Sequence, residues 1–172
     1  EAEFRMNMGS LVNALKAFSV SSNVTLLTSE ITRDQGEYQN KLENARTGQT
    51  VEETRLMSGM SPYIVNVGIS YLGNKGIFEG IEAGFYYNVK GESLEIVGID
   101  DRPDVYSVPF HSLNFNSSKS FGSDSQYSLG LKITNILDDK KELVSKSYDS
   151  PDLIYHKRVL GRSFSVNFRY AF

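Results

Sequence analysis

The sequence predicts an all-β chain, about seven antiparallel strands that form a segment of a larger transmembrane β-barrel. Three observations predict it. Apolar residues recur at every second position through several stretches, and the connections between those stretches alternate between short and long. The polar side of each stretch carries small or amide side chains, mostly Ser, Gly, Asn and Thr, in place of surface Lys and Glu.

The strands follow in order. Phe4, Met6 and Met8 oppose Glu3, Arg5, Asn7 and Gly9, and Phe18, Val20, Val24 and Leu26 oppose Ser19, Ser21, Asn23 and Thr25. Tyr63, Val65, Val67, Ile69 and Tyr71 alternate with Ile64, Asn66, Gly68 and Ser70. Ile81, Ala83, Phe85, Tyr87 and Val89 face away from Glu82, Gly84, Tyr86, Asn88 and Lys90. A weaker strand runs from about Val108 to Phe121, with Leu113 and Phe115 opposing Ser112, Asn114 and Asn116. Tyr127, Leu129, Leu131 and Ile133 then oppose Ser128, Gly130, Lys132 and Thr134. The last strand sets Phe164, Val166, Phe168, Tyr170 and Phe172 against Ser163, Ser165, Asn167, Arg169 and Ala171.

Short connections lie at Ser10 to Ala17, Gly73 to Gly76 and Gly122 to Ser125; long polar ones lie at Thr32 to Met60, Gly91 to Ser107 and Asp138 to Arg162. Short turns on one rim and long loops on the other are expected of outer-membrane barrels, periplasmic and extracellular respectively. The mid-strand charges Glu3, Arg5, Glu82, Lys132 and Arg169 all fall on the polar side. Glu79 and Lys119 break the parity, but beside short turns, where a long side chain reaches headgroups or water. Aromatics such as Tyr63 and Tyr71 end the apolar face as interfacial girdles do. A soluble β-sandwich also alternates, so a soluble binding module stays open as an alternative on the pattern alone.

Composition removes other classes. The 172 residues include no Cys, which excludes disulfide frameworks, thiolate metal sites and cysteine nucleophiles. A net charge of −3 without a basic run gives no footprint for nucleic acid. No stretch reaches the roughly 20 apolar residues of a spanning helix, a test that strands escape. The opening residues show neither an initiator Met nor the basic start and apolar middle of a leader, and Glu1-Ala2-Glu3-Phe4 already alternates, so the sequence is expected to begin inside a strand. His111 and His156 have no partner pattern and read as strand-end or loop residues. No phosphate loop, nucleophile elbow or metal motif occurs, so neither an enzyme nor a cofactor is expected. The acidic knot Asp100-Asp101-Arg102-Pro103-Asp104 has oxygens for calcium but not the spacing of a calcium loop, and reads as a solvated turn, as does Asp138-Asp139-Lys140-Lys141.

Several motifs carry a resemblance. Arg55-Leu56-Met57-Ser58-Gly59-Met60-Ser61-Pro62-Tyr63-Ile64-Val65-Asn66, continuing into Val67-Gly68-Ile69-Ser70-Tyr71, resembles a stretch late in the barrels of TonB-dependent receptors. Arg102-Pro103-Asp104-Val105-Tyr106 with Pro109, Leu131 to Asp138, and the closing Gly161 to Phe172 are similar to later parts of the same family. The final Phe168, Tyr170 and Phe172 resemble the signal read by the barrel assembly machinery. The resemblance spans residues 1–172 but only roughly the C-terminal third of a barrel that in this family has 22 strands around a plug. Plug and TonB box are not in this sequence, so the remaining strands and the plug are implied partners.

The resemblance implies a place in the outer membrane of a Gram-negative bacterium, in contact with lipid and lipopolysaccharide. The implied activity is import of a nutrient (metal chelate, glycan or peptide), driven by the TonB system through the plug, with a surface lipoprotein as a further partner. A structural or adhesive barrel subunit without transport is the alternative. Glu3, Arg5, Asn23, Glu82, Tyr86, Lys132, Asn167 and Arg169 would line the lumen, holding the plug or touching substrate. In such receptors the extracellular loops recognise cargo, which makes Tyr38, Asp100, Asp101, Asp104, Tyr106, Tyr148 and Tyr155 the loop candidates.

Overall fold

The computed structural model of the chain describes residues 1–45, 47–48, 50–99, 102–122, 125–147 and 151–171. In chain order the strands and the α-helix are β1 (Ala2–Asn7), β2 (Phe18–Leu26), β3 (Ile31–Thr32), α1 (Gln35–Glu43), β4 (Thr54–Arg55), β5 (Tyr63–Leu72), β6 (Ile81–Lys90) and β7 (Ser93–Ile96). There follow β8 (Val105–Ser107), β9 (Phe110–Phe121), β10 (Tyr127–Thr134), β11 (Lys140–Ser145), β12 (Leu153–Val159) and β13 (Ser163–Tyr170). Each of the seven alternating stretches forms a strand. They hydrogen-bond in the order β1-β2-β5-β6-β9-β10-β13, every pair antiparallel, as a wide sheet that does not close.

Residues directly opposite one another in such a ladder share a face. The register therefore carries one apolar face across the whole sheet. Val20 pairs with Ile69, Ile69 with Phe85, Phe85 with Phe115, Phe115 with Ile133, and Ile133 with Phe164. On the other face Asn23 meets Asn66, Asn66 meets Asn88, Gly130 meets Asn167 and Ser128 meets Arg169. Lys119 stands on the apolar face between Ile81 and Leu129, and its Nζ turns to the neighbouring short turn, donating to Ile77 O at 3.0 Å. At that same rim aromatic rings touch in series: Phe18 and Tyr71 at 5.0 Å, Phe121 and Tyr127 at 5.4 Å, Tyr127 and Tyr170 at 5.1 Å.

The long connections depart from the expected polar loops. The last two supply a four-stranded sheet, β12-β11-β8-β7, and the first holds the short pair β3-β4 with α1 between them. The apolar runs in these strands are too short for a period to register. The α1 sequence QGEYQNKLE has no apolar stripe. Asp34 starts the helix by accepting from Glu37 N at 2.8 Å, an N-cap bond. Ion pairs then fasten the layer together. Glu37 takes both Arg33 and Arg55, Lys41 meets Asp104 at 2.8 Å, and Lys146 meets Glu92 at 2.7 Å.

Burial is lopsided. Among the described residues the buried apolar side chains are Val89, Leu94, Val105 and Val144, and three of these belong to the four-stranded sheet. The apolar face of the wide sheet lies open: Phe164, Val166 and Phe168 keep 67%, 72% and 63% of their surface exposed. No described strand or helix forms a second layer over it.

Candidate functional site

The polar face of the wide sheet gathers all eight lumen candidates. Glu3 and Arg5 pair at 2.8 Å on β1, and both are well exposed. Asn23 donates to Glu1 Oε1 at 2.6 Å, and Asn88 donates to Asn66 Oδ1 at 2.7 Å on the neighbouring strands. Glu82 and Tyr86 share a shallow recess of about 330 Å³ with Ser19, Ser70, Asn116 and Ser118. A second recess of about 230 Å³ joins Glu3, Arg5, Asn23 and Tyr86 with Asn66 and Asn114. Tyr86 is common to both. Its ring lies along the wall because β5 and β6 carry Gly68 and Gly84 beneath it. A Cβ at Gly84 would come within 2.7 Å of the Tyr86 hydroxyl oxygen, and one at Gly68 within 3.1 Å of the ring. Asn167 occupies the space above Gly130 in the same way, its Oδ1 2.1 Å from where a Cβ would stand.

Lys132 and Arg169 are on this face too but apart from the Tyr86 group. Lys132 pairs with Asn116 and Ser165, and Arg169 with Ser128. The structure thus brings Glu3, Arg5, Asn23, Glu82 and Tyr86 together and leaves Lys132, Asn167 and Arg169 on the far strands. Such a wall offers many hydrogen-bonding groups, with the charges of Glu3, Arg5, Glu82, Lys132 and Arg169 set among Ser, Asn and Tyr side chains. It can hold another polar surface.

The loop candidates divide. Asp104 is a largely buried fastener whose Oδ1 accepts from both Lys41 Nζ and Gly98 N at 2.8 Å. Tyr106 lies half-buried on β8 with Lys146 Nζ 5.0 Å above its ring. Burial, then the neighbouring Asp104 and Glu92 carboxylates, push its phenol above the usual tyrosine range, while Arg33 pulls it down. Tyr38 sits on α1, and Tyr155 is exposed on β12. Asp100, Asp101, Tyr148 and, at the C-terminal end, Phe172 lie outside the described residues. Phe168 and Tyr170 are on the apolar face of β13, in ring contact with Tyr127 at 6.1 and 5.1 Å. The described residues hold no cluster of three metal-ligating side chains.

Two features escaped the sequence. Asn135, read only as part of a motif, is a buried hub at φ +53°: its Nδ2 donates to Asp139 O and Gly161 O at 3.0 Å, which fixes where the chain leaves β10 and re-enters β13. His111 binds Tyr87 through Nδ1 to the hydroxyl at 2.6 Å, making an aromatic pair on the apolar face between mid-strand Tyr87, opposite Val67, and the long-loop end. Nothing local announces either, although an Asn just after an alternating run is a recognised site for positive φ. No protein-family model matches the chain, and neither a curated protein nor a solved structure gives a significant match.

Proposed function

We propose that the chain is part of the wall of a TonB-dependent receptor in the outer membrane of a Gram-negative bacterium, a barrel that imports a nutrient. The observation that carries the reading is the continuous, uncovered apolar face of the seven-stranded sheet, backed by a face of small and amide side chains. Leaving such a face in water forfeits roughly 25 cal/mol for each Å² that lipid would cover. The two outer strands, β1 and β13, would each take a further strand, because open ladder edges in lipid cost several kcal/mol per unpaired group. The family assignment within barrels rests on the Arg55 to Tyr71 motif and the aromatic final strand.

The polar face would then look into the lumen and hold a plug through its amides and the Glu3–Arg5 pair. The layer built by the long connections would stand outside the cell, where cargo arrives. The test uses the protein with its natural flanking sequence in a Gram-negative host. It is expected in the outer-membrane fraction, soluble only in detergent, with cargo uptake that stops when the inner-membrane proton-motive force is collapsed. A monodisperse monomer without detergent would refute the membrane reading. Uptake indifferent to the inner membrane would refute energised import.

A further inference from the structure

A recess of about 500 Å³ opens where the two sheets meet, between the long-loop ends of β6 and β9 and the β11–β12 ribbon. Asn88, Lys90 and Phe110 reach it from the polar face of the wide sheet; Ser107, Lys141, His156 and Arg158 reach it from the smaller one. We propose that this recess binds a small solute bearing two or more anionic groups, carboxylate or phosphate, with Lys141 and Arg158 as its principal contacts.

The register carries the argument. On β11 and β12, Lys141 stands directly opposite Arg158. Like charges so placed destabilise a strand pair. The ribbon is able to avoid this: the adjoining pair, Glu142 opposite Lys157, is complementary and closes an ion pair at 2.5 Å. Among the described residues no carboxylate pairs with Lys141 or Arg158. Lys141 Nζ instead rests 5.2 Å above the Phe110 ring, which borders the recess.

The remaining charges point the same way. Lys90, opposite Phe110 in the wide sheet, adds a third cation, with one of its protons on Gly59 O at 3.3 Å. Of the two lining carboxylates, Glu142 is neutralised by Lys157 and Glu95 accepts from the Ser93 hydroxyl at 2.7 Å. The walls thus present three cations against the single carboxylate of Glu95 that has no cation partner among the described residues. Arg158 supplies a planar fork suited to one anionic group, and Lys141 and Lys90 supply point charges for a second. The volume is within the range of small-solute pockets, and a concave wall with an excess of positive charge concentrates anionic solute.

The inference rests on the receptor reading for the exposure of the recess to external solute, yet it fails separately, by titration and not by fractionation. Citrate and inorganic pyrophosphate are titrated calorimetrically into the full protein in detergent at low salt, with maltose as the neutral control. At least one anion is expected to bind, and which one does so separates carboxylate from phosphate chemistry. Lys141→Gln with Arg158→Gln is expected to weaken it by about tenfold or more, and Arg158→Lys by several-fold through loss of the fork. Lys16→Gln with Lys75→Gln, the same charge change at the opposite rim, is expected to leave affinity unchanged. The double Gln variant is expected to melt no lower than the parent, since a like-charge pair is relieved. Flat titrations with both anions, equal binding of maltose, or equal losses in the two double variants would each overturn the proposal.

Discussion

Val67 lies midway along β5 between Tyr63 and Tyr71, on the apolar face beside Ser22 and Tyr87. At roughly 3.4 Å per residue the stretch from Tyr63 to Tyr71 runs about 27 Å along the strand, or about 20 Å along a membrane normal at a tilt of about 40°. An apolar band of an outer-membrane barrel is about 25 Å tall, so Val67 would sit near the midplane. A lysine there is about 10 Å from either aromatic row, farther than its side chain reaches. Val67→Lys should then cost about 2–4 kcal/mol, or about 30- to 700-fold in the folding equilibrium. Were the face in water, the same change at a residue already 37% exposed would cost well under about 1 kcal/mol.

Two controls frame the number. Ile81→Lys, at the rim, should cost about 0–1 kcal/mol for its depth and up to about 1 kcal/mol more for standing opposite the native Lys119, and Ser70→Lys on the polar face about 0.5 kcal/mol or less. The assay is urea unfolding of the full protein in lipid vesicles, followed by the change in sheet circular dichroism. Equal costs for Val67→Lys and Ile81→Lys would refute the reasoning, because depth would then have no energetic meaning on this face.

Three further outcomes follow from local geometry. Gly80 has φ +74° and a Cβ there would stand 2.6 Å from the Ser120 carbonyl oxygen, so Gly80→Ala should cost about 2–4 kcal/mol; Gly76→Ala, at φ +58° in open space, should cost only about 1 kcal/mol, compared by the same unfolding assay. Glu37→Gln strips the shared partner from Arg33 and Arg55, which are 11% and 18% exposed, and should weaken that corner by about 1–3 kcal/mol, seen as faster amide exchange in α1 with β5 and β6 unchanged. The Tyr106 phenol has a pKa raised above its usual 10.0, so the stability it contributes is complete below about pH 10 and is lost as pH rises through the raised value; Tyr106→Phe should flatten the fall in unfolding midpoint as pH rises above about 10, and an unchanged slope would count against that linkage.

The wide sheet was legible because each of its strands is long enough to show a period of two, and because one polar face constrains the next through register. The parity breaker Lys119 was legible for the same reason: its neighbours fix its face, and the adjacent turn gives its amine somewhere to go. The layer on the long connections was not. Four of the six strands have two to four residues, β11 (KKELVS) and β12 (LIYHKRV) do not alternate apolar with polar residues, and the fasteners join positions distant in sequence, as Lys41 and Asp104 do. Asp104 therefore reads as a solvated acid in the sequence and proves to be a largely buried anchor. Lys141 belongs to a run that resembles an ordinary charged turn. Only the β11–β12 register, with its irregularity between Leu143 and Val144, sets it opposite Arg158.

The position of the second sheet bears on what covers the apolar face. In a sandwich the partner sheet lies about 10 Å across that face and interdigitates with it. Here the four-stranded sheet springs from the rim, joined to the long-loop end of the wide sheet through Val108 N to Glu142 O at 2.9 Å and His111 N to Asp139 Oδ2 at 2.7 Å. Its buried Leu94, Val105 and Val144 serve its own packing. Whatever covers Phe85, Phe115 and Phe164 must come from outside the described chain. A protein partner would set no rule for the order of residues along the strands. A lipid interface sets tyrosines towards its margins, and Tyr71, Tyr127 and Tyr170 stand at the short-turn end with Tyr63 at the other, while Phe85 and Phe115, in ring contact at 4.8 Å, stand midway and Tyr87, opposite Val67, turns its hydroxyl to His111. Under the receptor reading proposed above, lipid would be the cover, with Phe85 and Phe115 in hydrocarbon and the end tyrosines at its margins.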